Sequence, residues 1–252
     1  MAITSNCLMF DNQQLLYDGT GILYNEDPLN PLNLPPYTIR LLYRDGVTPS
    51  FSKGTGVQVS QSPNIWDLTY TNTDWGRLVY WHVDLLKVLG GNTSNVRDMT
   101  LIFGRCTSLN EVNIFDTSKV TNMTGMFNLC GAITTVPLFN TYSVEAMASM
   151  FYACTHLTTV PLFNTANVRT MRAMFSDCGL LSYIPLFNTS NVTDVRGAFT
   201  FCYKVETGAL ALYNQLSSQS KPPTQYSQAF WDCGKDTVTG AAELAQIPSD
   251  WK

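Results

Sequence analysis

The side chains in this sequence with chemistry to offer are a set of cysteines, two histidines and a scatter of carboxylates. Cys106, Cys130, Cys154, Cys178 and Cys202 stand one step of 24 residues apart. Zinc needs thiolates and imidazoles in close sequence pairs that fold onto one ion. No Cys-x-x-Cys occurs and neither histidine stands at finger spacing from a cysteine, so no metal is expected. Disulfides are a second option, because stacked units would bring neighbouring cysteine Cα atoms to about 5 Å, a bondable separation. Five cysteines in one row cannot all pair, however, and a residue repeated once per unit behaves as a small buried hydrophobe. The expectation is a ladder of reduced core thiols. In such a ladder Cys154→Ser would bury a hydroxyl for which the sequence assigns no partner.

His82 and His156 have no serine, cysteine or aspartate arrangement around them that resembles a triad. A glycosidase needs two carboxylates facing each other across a site. Glu111, Asp116, Glu145 and Asp177 do not recur as such a pair. No catalytic residue and no cofactor is nominated, and the chain is expected not to be an enzyme.

What positions these residues is a repeat. Phe103, Phe127, Phe151, Phe175 and Phe199 keep the 24-residue step, as do Val96 to Val192, and Phe115, Phe139, Phe163 and Phe187. Met99, Met123, Met147 and Met171 follow it until Val195 takes the fifth place. A 24-residue unit cannot bury these positions alone, so neighbours must stack and share a core. Leu157-x-x-Val160-x-Leu162 matches a leucine-rich-repeat strand, and stacked strands lie ~4.8 Å apart in a parallel sheet. Val168, Met171 and Phe175 have the three-and-four spacing of a short helix. The expected fold class is an α/β solenoid of leucine-rich-type repeats, each a parallel strand plus a short helix, preceded by a small β module.

Counting back by 24 uncovers a concealed first unit, in which Trp75, Val79, His82, Leu85 and Val88 take the places of Met99, Phe103, Cys106, Leu109 and Val112. The repeats are therefore assigned to residues 72–206. Forward, Phe230-x-x-Cys233 lies 31 residues after Phe199. Residues 207–252 are read as an irregular cap, with an inserted loop over QLSSQSKPPTQ and a helix from Ala241 to Gln246. Residues 35–71 form the β module, in which Tyr37 to Tyr43 alternates, Arg44-Asp45-Gly46 turns and Gly56 to Ser60 is a second strand. Residues 1–34 are extended and proline-punctuated, too polar for a core of their own, and are read as an attachment segment.

Charged residues make 13% of the chain, against a typical ~25%, with a net charge of −4 and no Lys/Arg cluster. That argues against a nucleic-acid partner. No stretch approaches the ~20 apolar residues of a membrane span, and the N-terminus lacks the basic and apolar regions of a signal peptide. The chain is expected not to follow the general secretion route.

The run MFNLCGAITTVPLFNTYSVEAMASMFYACTHLTTVPLFNT resembles the BspA-type leucine-rich repeats of bacterial surface proteins, in which MF-x-x-C-x-x-L and F-x-T-x-x-V-x-x-M recur. The resemblance spans residues 72–206 and implies an extracellular recognition or adhesion scaffold without catalytic residues. Virion proteins of tailed phages of gut bacteria are similar, and a virion protein needs no export signal. The resemblance therefore implies a fibre or decoration protein, held to other virion proteins through residues 1–34 and contacting a host-surface glycan or protein. A bacterial cell-surface adhesin is the alternative. A homo-oligomer is compatible with either.

Two repeated series remain. Asp116, Asn140, Asn164 and Asn188, with Thr117, Thr141, Thr165 and Thr189, are expected to satisfy backbone groups at turns rather than to form a polar binding stripe. Alternation after an inward Val160 puts Leu162 inward and Phe163 on the surface. Pro137, Pro161 and Pro185 interrupt the ladder and favour burial of Phe139, Phe163 and Phe187. Thr135, Thr159 and Tyr183 on the strand side are then the candidate binding residues.

Overall fold

A computed structural model describes residues 32–252 throughout and, before them, the backbone of β1 (Cys7–Phe10), β2 (Gln13–Tyr17) and β3 (Ile22–Tyr24). These three strands pair antiparallel in chain order, with Leu15 opposite Leu8 on one side and Tyr24 on the other. The single extended segment expected over residues 1–34 thus contains three short paired strands. The attachment role expected of that segment rests on residues mostly outside the described ones.

A second, mixed sheet is built from β4 (Thr38–Tyr43), β5 (Thr55–Gln61), β6 (Asn64–Thr69), β7 (Leu85–Asn92) and β8 (Glu111–Val112), in the order β5-β6-β4-β7-β8. It is an open sheet in which β7 and β8 run parallel and the other neighbours antiparallel. Alternation in β4 turns Ile39, Leu41 and Tyr43 into the core. On its other face Arg40 pairs with the directly opposed Asp67 through two hydrogen bonds of 2.7 and 2.8 Å. The module and the repeats do not part at residue 71. β4 pairs with β7, which is the first repeat's strand, so the module extends the repeats' own sheet and covers their first unit.

From there the chain bonds to itself at a fixed step. Parallel bridges link Asp74 to Asp98, Asp98 to Asn122, Asn122 to Ala146, Ala146 to Thr170 and Thr170 to Asp194. Lys87 opposite Glu111 and Val88 opposite Val112 keep the same 24-residue step. Each unit lays one phenylalanine on the next. Phe103, Phe127, Phe151, Phe175 and Phe199 stack with centroids 5.4–5.7 Å apart and interplanar angles of 9–16°. Burying each such ring is worth roughly 1.5–3 kcal/mol, so this row is a main source of cohesion.

The helix expected in each unit is absent among the described repeats, and its backbone hydrogen bonds show why. Met99, Leu101, Phe103 and Arg105 donate their N–H groups to Asn122, Thr124, Met126 and Asn128 of the following unit. The residues between turn back three positions: Ile102 to Met99, Gly104 to Leu101 and Cys106 to Phe103. Leu101 and Arg105 have positive φ, as do Gly125 and Leu129, Ser149 and Ala153, Ala173 and Asp177, and Gly197 and Phe201, all between 50° and 63°. An α-helix cannot contain such residues. Three-residue turns give the same three-and-four spacing of core positions as a helix, while freeing every second N–H to join the next unit. For a non-glycine residue the left-handed conformation costs about 1–2 kcal/mol, offset here by the bonds between units.

The expected end at residue 206 is also displaced. Val195, Gly197, Phe199 and Phe201 donate to Gln225, Ser227, Ala229 and Trp231, and Phe230 stacks on Phe199 at 5.6 Å and 8°. Phe230-x-x-Cys233 is therefore a further stacked unit. The excess chain before it is taken up by α1 (Ala209–Ser218), which includes the first residues of the stretch read as a loop. Helix α2 (Val238–Gln246) starts on a Thr237 cap whose Oγ1 accepts from Gly240 N and donates to Val205 O. The closing turn Ser249–Trp251 seals the stack: Trp251 packs flat on Tyr226 at 4.4 Å and takes the Phe230 N–H on its carbonyl.

Candidate binding surface

The thiols are core material. Cys106, Cys130, Cys154, Cys178, Cys202 and Cys233 are all free and fully buried. Each of the five at the 24-residue step donates its S–H to the carbonyl of the residue 27 positions earlier, Val79, Phe103, Phe127, Phe151 and Phe175, at 3.0–3.2 Å. Burial pushes their ionisation up, to about 12 for Cys106 and Cys154. They are protonated donors with no nucleophilic character at neutral pH. A Cys→Ser change at this position finds a carbonyl waiting, contrary to the expectation of a stranded hydroxyl. Val79 and Trp81 donate to Ile102 and Gly104 as Phe103 and Arg105 donate to Met126 and Asn128, and Leu85 bonds back to His82 as Leu109 does to Cys106, which places His82 one unit above Cys106.

The proline before each leucine decides what faces outward. Phe139, Phe163 and Phe187 donate their N–H groups to the carbonyls of Pro137, Pro161 and Pro185, 2.9–3.0 Å away. This tight turn reverses the alternation. Phe115, Phe139, Phe163 and Phe187 are buried, the last three packing against Phe127, Phe151 and Phe175 at 6.0–6.2 Å. Leu162, expected to point inward, is 60% exposed, with Leu138 at 58%, Leu186 at 50% and Ile114 at 37%. The result is an apolar stripe with one residue per unit. Its place in the first unit is held by Gly90, against which Leu32 packs. The prolines that signal burial of the phenylalanines also imply this outward turn of the leucines, a consequence that alternation from Val160 does not contain.

Beside the stripe the Asn and Thr series are structural. Asp116, Asn140, Asn164 and Asn188 accept, on Oδ1, the N–H two residues on, at 2.8–3.1 Å. Thr117, Thr141 and Thr165 are buried and donate to the carbonyls of Asn140, Asn164 and Asn188 in the next unit. On the strand side Thr135, Thr159 and Tyr183 are exposed in a row that begins with Lys87 and Glu111, an ion pair of 2.5 Å. Tyr183 also bridges in parallel to Thr207. The structure thus brings the three candidate residues onto one face and sets the leucine stripe three residues further along each unit. His156 is on the surface with Nδ1 2.6 Å from Gly131 O. Among the described residues no group of acidic, histidine and cysteine side chains is placed to hold a metal, and no helix is long and apolar enough to cross a membrane.

A family model described as "Mycoplasma protein of unknown function, DUF285" matches the chain twice, over residues 83–183 and 133–218. The two spans together take in more than half of the 252 residues and coincide with the stacked units. Searches of curated proteins and of solved structures found no match.

Proposed function

The chain belongs to the DUF285 family, whose repeats are of the BspA leucine-rich type, and from that premise we propose that it is a non-enzymatic binding scaffold, a repeat solenoid that presents its strand side to a bacterial host surface from a tailed-phage virion. The observation that carries the reading is the exposed stripe Ile114, Leu138, Leu162 and Leu186 alongside Thr135, Thr159 and Tyr183. Large apolar side chains that a fold turns outward once per repeat, next to hydroxyl-bearing residues, suit a docking face. The parallel bonding of units at one fixed step supports the solenoid form. On this reading the target is a host-surface glycan or protein, and residues 1–34 attach the chain to other virion proteins.

The family description names bacterial proteins, and this favours a second reading, a bacterial cell-surface adhesin using the same face. Antibody labelling of purified particles and of whole cells separates the two, since the first reading requires label on virions. Binding of the purified chain to fixed host cells tests the face. The pair Leu138→Asp and Leu162→Asp should weaken it by roughly tenfold or more, with unfolding temperature unchanged. Undiminished binding by that variant would remove the stripe from the interface.

A further inference from the structure

Where the loop after β4 meets the first repeat unit, Val47, Thr48, Pro49 and Ser50 face Trp81, His82 and Asp84 across a depression of about 250 Å³. Trp81 is 62% exposed, unusual for the largest apolar side chain. Its position is held from behind. Its backbone N–H donates to Gly104 O at 2.8 Å, its backbone carbonyl takes the Val83 N–H, and the Arg105 guanidinium lies over the indole 5.3 Å from its centre. The backbone that carries the indole is thus fixed between two units, and the exposed ring has a cation against it.

The polar groups around it are fixed as well. Tyr43 is buried, and its hydroxyl has one partner, His82 Nδ1, at 2.6 Å. A buried hydroxyl proton needs an acceptor, so Tyr43 donates to Nδ1 and the neutral ring carries its proton on Nε2. Phe51, stacked on the imidazole at 5.5 Å, fixes the ring plane. Asp84 is held by Arg44 at 3.1 Å and keeps accepting capacity on its other oxygen. Thr48 and Ser50 add hydroxyls that both donate and accept.

We propose that this depression binds a single sugar ring, the apolar face of the pyranose lying on Trp81 and its hydroxyls meeting Asp84, His82 Nε2, Thr48 and Ser50. A flat apolar platform beside paired donors and acceptors matches a molecule with C–H groups on one face and hydroxyls around its edge. Pockets for drug-sized ligands run from roughly 300 to 1,000 Å³, so the volume fits one ring and no longer segment. The Asp84 carboxylate on the rim disfavours a phosphate. The site is separate from the leucine stripe and stands or falls without it.

The test is titration of the full chain with D-glucose, D-galactose, D-mannose and N-acetyl-D-glucosamine to millimolar concentration, followed by NMR of the tryptophan indole N–H signals and of the backbone amides of Thr48, Ser50, Val83 and Asp84, which remain as reporters when Trp81 is replaced. At least one sugar should saturate a shift of the Trp81 signal. Trp81→Ala should weaken binding roughly tenfold, and so should Thr48→Ala with Ser50→Ala, a pair that leaves the platform in place. The stripe variant Leu138→Asp/Leu162→Asp should bind the sugar as the unaltered chain does. If no sugar saturates, if folded Trp81→Ala binds undiminished, or if the stripe variant alone loses binding, the proposal is wrong.

Discussion

The thiol of Cys154 donates to the carbonyl of Phe127, 3.1 Å away and 27 residues back, and the same carbonyl takes the backbone N–H of Cys130. Both lone pairs of that oxygen are used, one within a unit and one between units. Serine at 154 keeps a donor aimed at the same oxygen but exchanges a polarizable sulfur for a smaller, more polar group. Cys154→Ser should cost about 1 kcal/mol, read from chemical denaturation. A loss beyond about 3 kcal/mol would mean that the hydroxyl is stranded after all. In the native chain the described thiols should resist alkylation at pH 8 and react only on unfolding, since burial holds Cys154 and Cys106 near 12 and raises Cys130, Cys178 and Cys202 well above the ordinary thiol value.

Leu162 and Phe163 are sequence neighbours with opposite surroundings. Phe163 is 2% exposed and stacks on Phe151 at 6.2 Å. Phe163→Ala should cost about 3–5 kcal/mol as a core truncation. Leu162→Ala should change stability by no more than about 0.5 kcal/mol. Equal losses at the two sites in denaturant titrations would show that the turn at Pro161 does not orient them in this way.

His82 gives the fold a dependence on pH. Burial lowers its ionisation below the ordinary 6.5, so in the folded chain the ring stays neutral where the unfolded chain takes up a proton. Its stabilising contribution is complete above about 6.5 and is lost as pH falls toward the folded value, because the unfolded state then binds more protons. Thermal unfolding at a series of pH values should show a decline starting near 6.5. In His82→Gln, which can still accept from Tyr43, that part of the decline should disappear. An identical profile in the two proteins would place the titrating group elsewhere.

Trp251 closes the far end. It is 6% exposed, lies on Tyr226 at 4.4 Å and holds the Phe230 N–H through its carbonyl. Trp251→Ala should open the last unit locally before the whole stack unfolds. Hydrogen exchange at Ala229, Phe230 and Cys233 should quicken while Phe127 and Phe151 remain protected. Uniform acceleration along the chain would show instead that the stack opens as one cooperative body.

The sequence alone carried the 24-residue step, the first unit around His82 and the families of side chains that share a row. Repeated residue types in a fixed register can be satisfied only by stacking, and stacking places like residues over like. It also favoured the burial of Phe139, Phe163 and Phe187, through the prolines before them. Three matters were left to the tertiary structure. Leu101 and Arg105 adopt left-handed turns because their N–H groups are taken by Thr124 and Asn128 of the next unit, and a periodicity of three and four cannot tell such turns from a helix. Leu162 points out because Phe163 bonds back to Pro161, a rotation of the chain that alternation does not contain. The β module merges with the repeats because β4 found the open edge of β7, and the depression between Ser50 and Trp81 exists only through that pairing. In each case spacing along the chain named the residues that share a core. The destination of a backbone hydrogen bond depended on which other segment lay beside it, and only the folded chain supplies that neighbour.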